Sequence, residues 1–116
     1  MHKVPFLTVE DEVPDLIVSF ALGVSAERSL TLLRTPAFES ILDDWERGVT
    51  VGVGAQSSPE RELLLSIQWA DDRVVVKSSK NEYVLDVSSV DIEEVDAAKK
   101  LLHKMNFDSR FLIIAA

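Results

Sequence analysis

Along this chain hydrophobic residues recur mostly at every second position, the period of a half-buried strand. Leu16, Val18, Phe20 and Leu22 share one face of a segment opened by Pro14, with Asp15 and Ser19 on the other. Leu30 and Leu32 alternate with Ser29, Thr31 and Leu33, and Val49, Val51 and Val53 alternate with Thr50, Gly52 and Gly54. Leu63, Leu65, Ile67 and Trp69 oppose Glu62, Leu64, Ser66 and Gln68; Val74 and Val76, then Tyr83, Leu85 and Val87, continue the alternation. Turn residues at 70–72 and 79–81 separate these runs, so 61–88 is expected to be a three-stranded antiparallel meander. The polar stretch 55–60 is expected to be a surface loop. The last run, 110–115, is apolar on both faces, which predicts a strand at 111–114 in the sheet interior, covered on both sides.

Two segments depart from this period. Over 92–105, Val95, Ala98, Leu102 and Met105 mark the stripe of an amphipathic helix, with Leu101 beside it. Asp91 suits the N-cap, and Glu94 stands three residues on, the spacing of a capping box. Acids lead this segment and Lys99, Lys100, His103 and Lys104 close it, which complements the helix dipole; Asn106 is the expected left-handed terminator. In 36–47, Phe38, Ile41, Leu42 and Trp45 also fall on one helical face, with Thr35, Pro36 and Gly48 suited to the two ends. Against a helix there, Asp43, Asp44 and Glu46 would oppose the negative end of the dipole, and a structured acidic loop is the alternative.

The fold expected is therefore α+β, one domain over 1–116. It has a mainly antiparallel sheet of six to eight strands, a C-terminal helix at about 91–106 and a second, shorter helix at about 36–47. A strand apolar on both faces, together with open sheet edges, makes a homodimer a further expectation.

Charge narrows the partners. Twelve Lys and Arg stand against twenty Asp and Glu, a net charge of −8. The excess is uneven: residues 1–60 carry four basic and ten acidic residues, and 61–116 carry eight and ten. Such a chain repels phosphate backbones unless its few bases cluster, so nucleic acid is not an expected partner. The best apolar run, 16–24, is about half the ~20 residues that span a bilayer, so no membrane role is expected and the setting is read as cytoplasmic.

Cysteine is absent, which removes thiol nucleophiles and zinc–cysteine or iron–sulfur sites. The four glycines make no phosphate-binding loop, and no Gly-x-Ser-x-Gly or His-Glu-x-x-His occurs. No cofactor is expected. His103 falls in the last helical turn with Lys99 and Phe107 at i±4, which gives a metal no support; a solvated capping residue is the expectation. Glu10, Asp11, Glu12 and Asp15 lack the alternation of a calcium loop and are expected to form a solvated linker. Asp71 and Asp72 suit a tight turn.

One cluster concentrates chemistry: Asp43, Asp44, Trp45, Glu46 and Arg47, with Glu39 one turn earlier. Trp45 is expected to pack inward as part of the apolar stripe, with Glu39, Asp43 and Glu46 left outward for a basic partner. Carboxylates around an apolar anchor are the composition of a protein-recognition surface. The reading is a non-catalytic acidic protein-binding module, in its most concrete form an immunity- or inhibitor-type protein that neutralises a basic partner. The alternatives are a small-ligand or regulatory domain with a pocket lined by Trp69, Tyr83 and Phe111, and an enzyme built from scattered carboxylates and His103. Trp69 itself is expected to cap one end of the core, with Tyr83 as its cross-sheet neighbour.

Overall fold

The structure, a computed structural model, describes residues 2–12, 15–23, 28–53 and 62–115. It is α+β and mainly antiparallel, and the described residues form nine strands in two sheets rather than six to eight in one. Strands β2 (Leu7–Glu12), β3 (Asp15–Leu22), β4 (Arg28–Arg34) and β5 (Thr50–Val53) form an antiparallel sheet in chain order. The second sheet runs β1 (His2–Lys3), β8 (Glu82–Asp86), β7 (Arg73–Ser78), β6 (Leu64–Trp69), β9 (Leu112–Ala115). Its centre is the expected meander β6–β7–β8; β1 and β9 join its two sides in parallel. The expected loop at 55–60, with Pro14, Val24 and Gly54, lies outside the described residues.

Two sets of backbone bonds stitch the sheets together. At one corner Gly23 N–H donates to Lys3 O and Ala21 N–H to Phe6 O. At the other, β5 meets the start of β6 through Val51 N–H to Glu62 O and Leu64 N–H to Val49 O, each 2.8 Å. The alternating residues anticipated for β3, β4, β7 and β8 face inward, and Val18, Phe20, Leu30, Leu32, Val74, Val76 and Leu85 are fully buried. β6 departs from strict alternation. A bulge between Leu64 and Ser66 lets Leu64, Ile67 and Trp69 bury together and turns Leu65 out to solvent. Tyr83 pairs with Val76, not beside Trp69, whose neighbour on β7 is Val74. The aromatic that meets Trp69 is Phe20 of the other sheet, ring centroids 6.4 Å apart.

Helix α1 (Ile92–Met105) packs its Val95, Ala98, Leu101, Leu102 and Met105 stripe into the core, against β2 and β3. Asp91 caps it by accepting from Glu93 N–H. The capping box is not completed: the Glu94 carboxylate instead accepts from Leu7 N–H at 3.1 Å, fastening the helix start to β2. Asn106 is not left-handed, with φ −98°; the positive φ falls three residues later, at Ser109 (57°). Residues 10–12 are not a linker but the end of β2, where Asp11 takes Lys104 of the helix at 2.7 Å. Asp71 and Asp72 do lie in the β6–β7 turn.

The largest departure is at 36–47. In place of one α-helix there are two short 3₁₀ helices, Pro36–Ile41 and Asp44–Glu46, joined by extended backbone. Phe38 and Ile41 of the supposed buried stripe are exposed. β9 is also not interior: it is an outer strand with Leu112 and Ile114 exposed, while Phe111 and Ile113 turn toward the core.

Candidate functional site

The cause of the 3₁₀ geometry is Arg34. It is the last residue of β4 and shares the inward face with Leu30 and Leu32, so its side chain is buried and fully solvent-excluded. All five guanidinium N–H groups are used. Nε and Nη2 hold the two oxygens of Glu39; Nη1 and Nη2 hold those of Asp108; Nη1 also reaches Met105 O at the end of α1, every bond 2.8 Å. The Phe107 ring lies over the guanidinium, 4.1 Å from its carbon. One cation therefore ties the end of β4, the 36–41 segment and the C-terminal end of the helix together, where the helix dipole favours positive charge.

Burial alone would lower the Arg34 pKa, but the hydrogen bonds and charges of Asp108 and Glu39 outweigh it and hold it raised. The bond from Arg34 keeps the Asp108 carboxyl well below the usual carboxylate range, against partial burial and with help from Arg110. A carboxylate depressed in this way stabilises the fold fully above the ordinary carboxylate pKa of about 4 and loses that contribution as pH falls toward its folded value. The Asp108 side chain is 28% exposed, so solvent screening reduces the effect to on the order of 1–2 kcal/mol. Thermal stability is expected to stay level from neutral pH to about pH 5 and to fall below about pH 4, with a shallower acid limb in Asp108→Asn. Parallel wild-type and variant curves would remove Asp108 as the cause.

The network continues outward. Arg110 donates to Asp108, and at 2.6 Å to the Asp44 carboxylate, whose side chain is otherwise exposed. The sequence-selected residues are thus brought to one place but put to different uses. Glu39 is buried on Arg34 and is not available outward, contrary to expectation. Asp43 is exposed; its N–H donates to Glu46, which is half-buried. Arg47 turns back onto Leu42 O. The Trp45 side chain lies outside the described residues.

A 3₁₀ helix repeats every three residues, so drawing Glu39 inward sends Phe38 and Ile41 outward together. Phe38 is 57% exposed and Ile41 84%. They border a groove of about 420 Å³, which Leu33, Leu42 and Thr50 also line, with the Arg34–Glu39 pair in its wall. Asp43 and Asp44 follow at the end of the same segment.

The other candidate chemistry disperses. His103 is exposed on α1, and among the described residues no three His, Asp or Glu side chains gather where they could hold a metal. Trp69 borders a cavity of about 220 Å³ with Asp71, Ser88, Val90 and Lys99, but neither Tyr83 nor Phe111 joins it, so the expected three-aromatic pocket is not assembled. The Tyr83 hydroxyl instead donates to Glu62 at 2.7 Å, with Ser78 Oγ donating to the same oxygen; burial and the Glu62 carboxylate raise the tyrosine pKa. The lysines of the helix are partly absorbed too, Lys104 on Asp11 and Lys99 5.3 Å from the Trp69 ring. Among the described residues no helix is long and apolar enough to cross a membrane. Comparison with known families, curated proteins and solved structures found no match to this chain.

Proposed function

We propose that the protein is a non-catalytic binding module that presents the 36–46 segment to a basic protein partner, in the manner of a cytoplasmic inhibitor or immunity-type protein. The observation that carries this reading is the exposure of Phe38 and Ile41 on a segment fixed from beneath by Arg34. Exposed apolar side chains on a rigid support are low-entropy anchors, and carboxylates at their rim select for positive charge and speed encounter. The net charge of −8 extends the same preference over long range. A cationic partner with an apolar projection sized for the groove fits best.

The test compares wild type with Ile41→Asp and Asp43→Lys, first in capture from the native host's lysate at low and high salt, then with the purified partner. Wild type is expected to retain one basic protein at low salt. Ile41→Asp should weaken its binding tenfold or more, and Asp43→Lys should slow association and flatten the salt dependence. Both substitutions are on exposed side chains and should leave the unfolding transition near that of wild type. A partner bound equally well by both variants would take this surface out of the account.

A further inference from the structure

The four outer strands of the two sheets are not alike. β1 is two residues long and is followed by Pro5; β2 carries Glu10, Asp11 and Glu12; β5 meets the start of β6. Short length, charge and covering are the usual protections of a sheet edge. β9 is twice the length of β1 and, among the described residues, has neither charge nor cover. Its sequence, Leu-Ile-Ile-Ala, has no charge, proline or bulge, and it pairs with β6 on one side only among the described residues. Leu112 is 66% exposed and Ile114 40%, both on the outer face of the sheet. Alternate backbone N–H and C=O groups along its other side point away from β6 and have no ladder partner among the described residues.

We infer that β9 is a self-association edge, on which a second copy of this chain adds its own β9 antiparallel across a two-fold axis. Charge selects a second copy over the basic partner of the 36–46 surface. An isologous contact brings like surfaces together, so it must be nearly neutral. Most of the negative excess lies in residues 1–60, whereas β9 and the β6 residues Ser66 and Gln68 beside it carry no charge. Farther across the same face Lys77 and Glu82 pair with each other.

Side-chain parity then limits the register. Ile113 must stay inward in both copies, and Leu112 and Ile114 outward, which admits every second register; of these, Ile113 opposite Ile113 sets both exposed side chains of each copy directly opposite one another, Leu112 against Ile114 at either side. That register joins four exposed apolar side chains into one patch and the two five-stranded sheets into one. Four residues from each copy make a small contact beside the ~1,200–2,000 Å² of a stable interface, so the dimer is reversible and concentration-dependent.

Sedimentation velocity over a concentration series tests this with the whole chain. The mass is expected to rise from 12.9 kDa toward twice that value in the micromolar-to-millimolar range. Ile114→Lys, at an exposed position, should raise the dissociation constant at least tenfold while keeping wild-type circular dichroism. Should that variant fold poorly, hydrogen exchange on the wild type decides: amides of β9 should gain protection as concentration rises, and those of β2 should not. A monomer at every concentration, a dimer that folded Ile114→Lys leaves intact, or β9 protection independent of concentration would each overturn the inference. Ile41→Asp should not affect the dimer, so the result is independent of the fate of the 36–46 surface.

Discussion

Arg34→Met is expected to destabilise the protein by about 3–5 kcal/mol, a large part of the 5–15 kcal/mol that holds a domain of this size together. Methionine fills much of the same volume, so the loss is not a cavity effect. It arises because Glu39, 8% exposed, would keep a carboxylate in the interior with both oxygens unpaired, while Met105 O loses its donor. Asp108 is nearer solvent and can rehydrate, so its share is smaller. The double variant Arg34→Met/Glu39→Leu should recover most of the stability, because removing both members of a buried pair leaves no orphaned charge. Arg34→Lys should fall between, since one ammonium cannot serve both carboxylates in the bidentate manner of a guanidinium. Urea unfolding measures all three. A cost below about 1 kcal/mol for Arg34→Met would mean that Glu39 reaches water in the folded protein.

The same residue explains where the sequence could be read and where it could not. Strands β3, β4, β7 and β8 and helix α1 were legible because their apolar positions answer to one period each, and burial follows period directly. Within the alternation of β4, Leu30, Leu32 and Arg34 stand on one face, so an inward arginine was written there in plain view. What was missing was its partners, five and 74 residues away, and only the fold brings Asp108 to it.

Once Glu39 is committed inward, the 36–47 segment cannot keep an α-helical stripe of Phe38, Ile41 and Leu42 against the core. Tertiary pairing overrides a local pattern whose apolar spacing and end residues suited a helix, and the acids at its end, Asp43, Asp44 and Glu46, were the one local sign against it. The β6 bulge is the same kind of event at smaller scale: one extra residue moves Leu65 from the expected face to the other. β9 failed for a different reason. A strand apolar on both faces announces that both faces need cover, and it does not say whether the cover lies in the same chain. Of the candidate site, Glu39, Asp43, Asp44 and Glu46 were found without their roles and Asp108 was not found, because a carboxylate bound to a buried arginine and one facing solvent are the same letter.

Phe20→Ala is expected to cost about 3–5 kcal/mol, and Phe38→Ala less than about 0.5 kcal/mol, although the same atoms are removed. Phe20 is fully buried on β3, opposite Leu7 on β2 and Leu30 on β4, and its ring meets Trp69 of the other sheet. Truncation there opens a cavity between the two sheets, and neither side can close it easily. Backbone ladders hold Leu7 and Leu30 in place, and Trp69 is ordered between Phe20 and Lys99. It also forfeits the aromatic contact, about 0.5–1.5 kcal/mol of the total. Phe38 has no comparable enclosure, so its removal changes little in the folded state. The midpoint of urea unfolding should therefore fall sharply for Phe20→Ala with an unchanged slope, and stay put for Phe38→Ala. Equal losses in the two variants would mean that Phe38 is packed in solution, and the apolar anchor on which the binding surface rests would not exist. A large difference separates the aromatic packed between the two sheets from the exposed one on which the proposed binding surface depends.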